Sequence, residues 1–404
     1  MVRQRLPLLM VAFTCLLLFT SCSTHTASQT ASRTAIQVNH VIAASLLQGS
    51  HIGDWPLFGY DPGHTGYVDA AVQARPIQGK VSWTRQPGSL FSSPIAGQGL
   101  VYIASTDGNL YALRQDSGAI VWHTHINSYL TDATPALEGK VLFVAEEGTT
   151  LAALNALTGA RYWAVPLAEK IQAPPLVVGS RVLVASLTTL WVLDAASGRL
   201  LWKYHYGAVG WPTTASPTVV GTTVYFGSGS STKLWALNLL NGHVLWSFDT
   251  HDRITGAAIV QGQMVYVATW QGTIFALART TGALRWSYAL NRGQQSVVDG
   301  VGGSMALADN RLYAGDYRGA IICLDAASGK LEWRYATGAQ VLATPIIAAG
   351  RVYIGSDDGY FYALDMRTGR PAWRYATGAV RASAALATGL LYVGSLNGTL
   401  YAFS

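Results

Sequence analysis

Charge is scarce in this chain. Only 12% of its 404 residues are Asp, Glu, Lys or Arg. The basic ones are spread thinly among turn segments, with no run on any one of them, so no nucleic-acid partner is expected; such a partner needs Lys and Arg gathered on one face. Cysteine is scarcer. The three, Cys15, Cys22 and Cys323, are nowhere adjacent and nowhere in C-x-x-C spacing, so no redox pair and no structural disulfide is expected within the domain. No Ser/His/Asp set and no phosphate-cradling glycine loop can be found. The long apolar stretch, near the N-terminus, is too short for a comfortable membrane span.

What the chain has in quantity is glycine, 42 residues, and hydrophobic residues, 50% of the total. They fall into a repeat of a propeller-like period. The phrase is an apolar strand, a tight turn, a second apolar strand, a Ser/Thr/Asn-Gly turn, and a Trp four residues after that Gly. It reads "VYIASTDGNLYALRQDSGAIVW" at 101–122 and "VYIGSDDGYFYALDMRTGRPAW" at 352–373. Seven full phrases end in Trp122, Trp163, Trp202, Trp246, Trp286, Trp333 and Trp373, and an eighth, "LYVGSLNGTLYAFS", stops before its turn and Trp. One period before the first phrase, Trp83 in "GKVSWTRQPG" has the strand of an ending with no phrase in front of it. The tail lacks a last strand and the start has one to spare.

A linear solenoid has no use for this arrangement, because its ends are capped by atypical polar repeats. A ring does. The reading is an all-β, eight-bladed β-propeller of four-stranded antiparallel blades, with residues 81–85 completing the blade built by the C-terminal repeat. Segments such as "LYALR", "LWVLD" and "IICLD" are apolar at successive positions, as a strand buried on both faces must be, and they are too short and too rich in Gly for helices. Asp-Gly or Asn-Gly at 107–108, 358–359 and 397–398 suits two-residue hairpins. The third repeat, "ASLTTLWV", lacks that glycine and needs another turn.

"ALDMRTGRPAW" and its sister phrases resemble the repeat of the pyrroloquinoline-quinone (PQQ) propeller superfamily, over about residues 81–404. The resemblance implies that Trp83 and the seven phrase-ending Trp residues dock each blade on its neighbour. It is silent on function, since that superfamily holds both enzymes and inert scaffolds.

The N-terminus, "MVRQRLPLLMVAFTCLLLFTSC", has a charged start, an apolar core and small polar residues before Cys22. "FTSC" resembles a bacterial lipobox, with Phe19 where the pattern prefers Leu. That resemblance implies a signal peptide over 1–21 and a lipidated Cys22 as the first mature residue; the alternative is an ordinary secretory signal with an incidental Cys. Loss of Arg3 and Arg5 takes the formal charge from +6 to +4. Residues 22–50 read as a flexible, low-complexity tether. Residues 51–80 form a lead-in containing "DWPLFGYDPGHTGY", similar to that of PQQ-repeat lipoproteins. Trp55, Phe58 and Tyr60 are expected to pack on the outer or lower face of the propeller, with a ligand role as the alternative.

The resemblance implies what a quinone cofactor would need: a Trp and a disulfide of adjacent cysteines around the ring, carboxylates on calcium, and an Asp base. The mature chain has no adjacent pair. Cys323 stands where other repeats have Ala and reads as a small buried thiol. Asp116, Asp194, Asp325 and Asp365 sit in repeated turns, where they cap backbone N–H groups, which leaves few carboxylates for a calcium cage. His123 and His125, at i and i+2 on an outer strand, could hold a metal, but no other repeat has a partner for them. No cofactor, metal or catalytic residue is therefore assigned.

Spacings between repeat Trp residues run 39, 41, 39, 44, 40, 47 and 40. The two long intervals, with extra residues in 207–218 and 291–304, place loops at the mouth of the central channel, where propeller sites gather. With shorter companions they bring Trp211, Asp299, Arg253, Arg381, Tyr129 and Asp132 to that mouth as candidate binding residues. Two functions compete. One is a monomeric, lipid-anchored scaffold that binds a protein or polymer in the bacterial envelope; in length, anchor and blade count it resembles the BamB-type propellers of the outer-membrane barrel assembly machine. The other is a quinone-dependent dehydrogenase or small-ligand sensor with its site at the mouth.

Overall fold

Each full repeat phrase folds into the outer three strands of a four-stranded antiparallel meander, and the eight meanders form a ring. The computed structural model describes residues 54–404 apart from 70–72, 74, 89–91, 127–133, 147, 172, 208–214, 230 and 291–299. Cys22 and its tether, together with Trp211, Asp299, Tyr129 and Asp132, lie outside the described residues. Blades 1 to 7 run Ile95–His125, Ala136–Pro166, Leu176–His205, Thr218–Asp249, Ile259–Ala289, Ala306–Ala336 and Ile346–Ala376. Blade 8 takes three strands from Ala385–Phe403 and its outermost one, Val81–Arg85, from the other end of the chain. There is no helix among the described residues.

The closing strand pairs antiparallel with Leu400–Phe403, setting Trp83 against Ala402. Closure begins earlier than residue 81. Ser404 and Lys80 exchange backbone bonds, one at 2.8 Å, and Gly79 supplies the turn glycine that the last repeat lacks. It adopts φ +77°, and a Cβ on it would lie 2.7 Å from the Trp373 ring, so only glycine fits there. Gly79 also stands four residues before Trp83, which is the spacing of every full phrase.

The Trp ring does the same thing eight times. Each Nε1–H donates to a carbonyl in the next blade's outer turn, from Trp83 to Gln115 at 2.9 Å round to Trp373 to Ile77 at 2.8 Å. The geometry has a local cause. Each outer strand pair slips register by one residue immediately before its Trp, as between Ala112 and Leu113. This bulge turns the indole out of its own sheet and toward the neighbour.

The hairpin glycines at 108, 359 and 398 have φ near +85 to +89°. Blade 3 manages its glycine-free turn with a carboxylate from the preceding loop. Glu169 accepts Ser186 Oγ at 2.6 Å, Thr188 N–H at 2.9 Å and Thr189 Oγ1 at 2.8 Å. Burial acts to raise its pKa, but those donors hold it below the ordinary glutamate value. Asp194, Asp325 and Asp365 cap their turns through the N–H groups of Ser197, Ser328 and Thr368. Asp116 makes no such bond among the described residues, contrary to the sequence expectation, because Arg114 stands at the capping position of blade 1.

The lead-in differs most from expectation. It does not lie on the outer or lower face; residues 54–68 run inside the ring. Trp55 exchanges backbone bonds with Ala96 on the innermost strand of blade 1, at 2.7 and 2.8 Å. Carbonyls of Pro56, Pro62, Gly63, Thr65 and Gly66 then accept N–H groups from the innermost strands of blades 2, 4, 5, 6 and 7. Tyr67–Val68 finishes as a short parallel strand against Ile347–Ala348. Innermost strands have no other partner on their channel side, so the segment satisfies backbone groups that would otherwise face water. Trp55 is 1% exposed and joins the core of blades 7, 8 and 1.

Candidate functional site

The channel is built from the innermost strands outward. Two residues before most of these strands stands a Ser or Thr whose hydroxyl ties one blade to the next. Thr134 Oγ1 accepts Ser93 N–H at 3.2 Å, Ser93 Oγ accepts Ser383 N–H at 2.9 Å, and Thr344 Oγ1 accepts Ser304 N–H at 3.0 Å. These residues recur in the sequence as "SSP", "ATP" and "ASA", a signal that repeat analysis centred on Trp passes over. They fix the channel wall and hold the loops of its mouth.

His64 lies at the heart of the lead-in, 2% exposed, with Nε2–H donating to the Pro217 carbonyl of the segment leading into blade 4 at 2.9 Å. Burial lowers its pKa below the ordinary histidine value, against smaller raising effects of that bond and of Asp61. The ring is therefore a neutral, structural contact. Tyr60, half-buried beside it in sequence, has its phenol raised by burial and by Asp61, Asp69 and Asp54.

Of the six mouth residues expected from the sequence, Arg253 and Arg381 are described, and the structure does not bring them into contact with one another. Arg381 is clamped by Asp357 in a forked pair, with Nε 3.0 Å from Oδ1 and Nη2 2.9 Å from Oδ2. That bond raises the guanidinium's pKa and commits the cation to its neighbouring blade. Arg253 has its N–H on the Asp252 carboxylate at 2.7 Å and its carbonyl on Trp270 N–H at 2.9 Å. Trp270 in turn meets Tyr317 edge to face, 5.1 Å between centroids. Asp357, Trp270 and Tyr317 were not singled out from the sequence, since each sits in a hairpin turn whose neighbours belong to other blades. Among the described residues, the Arg381–Asp357 pair and the Trp270–Tyr317 contact give this part of the mouth a paired polar and aromatic surface.

Among the described residues neither an adjacent cysteine pair nor a cluster of carboxylates stands ready for a quinone and its calcium. Cys323 is the one cysteine among the described residues; it is buried on blade 6, and burial followed by Glu332 pushes its thiol up to about 12. Such a thiol is inert and has no neighbour to pair with. Among the described residues no three His, Cys, Asp or Glu side chains gather as a metal site. His123 stacks on Tyr111, 5.6 Å between centroids, and His125 reaches Asn109 Oδ1 at 3.3 Å.

The family profile described as outer membrane protein assembly factor BamB matches residues 63–124, 125–257, 241–298 and 271–404. The outer membrane protein assembly factor BamB of Yersinia pestis is 27% identical over 164 residues, 36% of this chain and 42% of that protein. That of Burkholderia pseudomallei (strain K96243) is 25% identical over 226 residues, 50% of this chain and 57% of that protein. The matched regions thus span about half the length of these relatives. Among solved structures, BamB from Moraxella catarrhalis aligns with a TM-score of 0.68 at 21% identity, over 80% of this chain and 97% of that one. Quinohemoprotein alcohol dehydrogenase from Comamonas testosteroni aligns at 0.76 with 16% identity, over 92% and 84%. Both structural likenesses show the propeller fold alone.

Proposed function

The chain belongs to the family described as outer membrane protein assembly factor BamB, and from that premise we propose that it is a non-enzymatic, lipid-anchored propeller, a binding scaffold for protein assembly in the cell envelope. The observation that carries this reading is the family match across the whole ring, 63–404. The interior of the ring supports it. A channel occupied by the protein's own lead-in, beneath a mouth whose arginine is already paired, offers surface for a partner rather than a chamber for a reaction. The propeller acts as a monomer, and its partners are other envelope proteins. Cys22 carries the lipid after removal of residues 1–21, which places the ring outside the cytoplasm on a tether.

Loss of the protein from its source cell should lower the steady-state level of outer-membrane β-barrel proteins, read by quantitative proteomics of washed envelopes. Cys22→Ser should move the chain from the membrane pellet to the soluble envelope fraction with its melting temperature unchanged. Unaltered β-barrel levels in the deletion strain would sink the assembly reading. A Cys22→Ser chain that still pellets after a high-salt wash would remove the lipid as its anchor.

Chemistry is tested separately. PQQ with calcium, added to the purified chain, should give no thermal shift and no dye-linked oxidation of alcohols or sugars. A ligand that binds only the native state, at a hundredfold excess over its Kd, adds about 2.7 kcal/mol, which a melt resolves. A stoichiometric, calcium-dependent shift would put the dehydrogenase reading in place of the scaffold.

A further inference from the structure

The two ends of the ring differ in charge and in exposed hydrophobicity. At one end each of blades 1 to 7 has two tight turns, one between its two innermost strands and one between its two outermost, and in blade 8 the meeting of Lys80 with Ser404 stands in place of the second. These turns are hydrogen-bonded to each other within the blade, as Ala156 N–H to Lys140 O at 2.9 Å and Leu239 N–H to Thr222 O at 2.9 Å. They make one continuous turn face. The blade turns of this face, counted from strand end to strand end, carry twelve Lys or Arg against six Asp or Glu, to which the lead-in adds Asp54 beside Gly97. The opposite, loop face carries six against eight among the described residues. On the turn face, Asp194, Asp325 and Asp365 are occupied by turn N–H groups, while Arg199, Lys330 and Arg370 are exposed and form no ion pair among the described residues.

Exposed aliphatics follow the same division. Of ten large hydrophobic side chains exposed among the described residues, nine stand at the turn end and Tyr375 toward the loop end. Leu157 and Leu240 project from turn tips, Leu240 at 57% exposure, and Val244 and Leu245 follow at the rim of blade 4. They are scattered over many blades rather than joined in one patch, so they do not form the contiguous core of a protein interface. Spread leucines among lysines and arginines suit a planar, laterally uniform surface with an anionic headgroup layer and an apolar layer beneath it.

The path of the chain supplies a third observation. Trp55 is antiparallel to Ala96, and the innermost strand Ile95–Gly97 runs toward the turn face. The chain therefore enters the channel from the turn face, with Asp54 beside Gly97 at that end. The described chain thus begins at this face, on the side from which its N-terminal segment leads away.

We infer that the turn face is a docking surface for an anionic lipid bilayer, with Arg199, Lys330 and Arg370 meeting headgroups and Leu157 and Leu240 entering the interface. This orientation leaves the loop face and the channel mouth turned away from the membrane toward protein partners. It goes beyond the assembly role, and its test does not depend on that role or on the lipid.

The mature chain, residues 22–404 carrying Cys22→Ser, should co-sediment with phosphatidylglycerol-containing vesicles and release in high salt, and it should bind pure phosphatidylcholine far less. Neutralising Arg199, Lys330 and Arg370 to Gln should weaken vesicle binding about fivefold per residue, the fold-change corresponding to ~1 kcal/mol for each basic residue near an anionic surface. Leu157→Ser with Leu240→Ser should weaken it further without changing the melt, and Lys170→Gln with Lys233→Gln on the loop face should leave it unchanged. No binding to anionic vesicles, equal binding to neutral ones, or equal loss from the loop-face pair would each overturn the inference.

Discussion

Deletion of residues 81–86 is expected to cost the protein several kcal/mol and to collapse its melting temperature. The segment contributes a whole ladder, from Val81 opposite Phe403 to Arg85 opposite Leu400, and a large indole whose Nε1–H donates to Gln115 in blade 1. Removing it exposes the edge of Leu400–Phe403 and uncovers a core that includes Tyr392 and Phe403. Truncating a fully buried aromatic costs roughly 3–5 kcal/mol; the half-buried Trp83 gives part of that, and the lost ladder bonds add about 1 kcal/mol each. Against a total stability of about 5–15 kcal/mol, that is a large part of the whole. Trp83→Ala is the milder companion, removing the docking contact while keeping the strand. Urea unfolding of both variants beside the parent decides the matter; a deletion that unfolds at the parental midpoint would show that the ring is not closed by this strand.

Trp55→Ala should be nearly as damaging, although Trp55 belongs to no repeat. It is 1% exposed and sits where the lead-in first grips the innermost strand of blade 1. About 3–5 kcal/mol is expected, and the lead-in should become sensitive to limited proteolysis. An outer-face tryptophan would cost far less, so a loss below about 1 kcal/mol would contradict the channel placement. His64 gives the same segment a pH signature. Its pKa is lowered in the folded state by burial, so the unfolded chain binds the proton more readily. The contribution of neutral His64 is complete above the unfolded value of about 6.5 and is lost as pH falls through the folded value. His64→Gln should flatten that part of the stability profile, and an unchanged profile would assign the dependence elsewhere.

How far these features were legible in the sequence depends on how local their cause is. Blade number, strand order and closure by Trp83 could be read because each repeat spells its own hairpins and ends in its own Trp. Counting phrases at the two ends was enough to pair them. The closing strand was read with its observed bounds, Val81–Arg85, but Gly79, four residues before Trp83, carries Gln78 in front of it, outside the Ser/Thr/Asn-Gly form, and its part in the closing turn was not read. Turn caps at Asp194, Asp325 and Asp365 were readable for the same local reason. Asp116 was misread because the capping position is set by register with the strand before it.

The mouth was less legible. Loop lengths marked where it is, but a guanidinium's partner depends on which turn lies across the blade boundary. Arg381 meets Asp357, in a turn of the preceding blade whose sequence resembles every other hairpin.

The repeat, the ring and the residues that close it could thus be read from the sequence, since continuous apolar runs, turn glycines and tryptophan spacing act within a single blade. Only the tertiary structure decided that the lead-in lies inside the channel, that Arg381 is spent on Asp357, and that basic turns and stray leucines share one face. Each of these is a relation between segments far apart in the chain. The lead-in has no periodicity to show its place, and it bonds to six blades at once because only a closed ring brings their unpaired innermost strands within reach of one short segment.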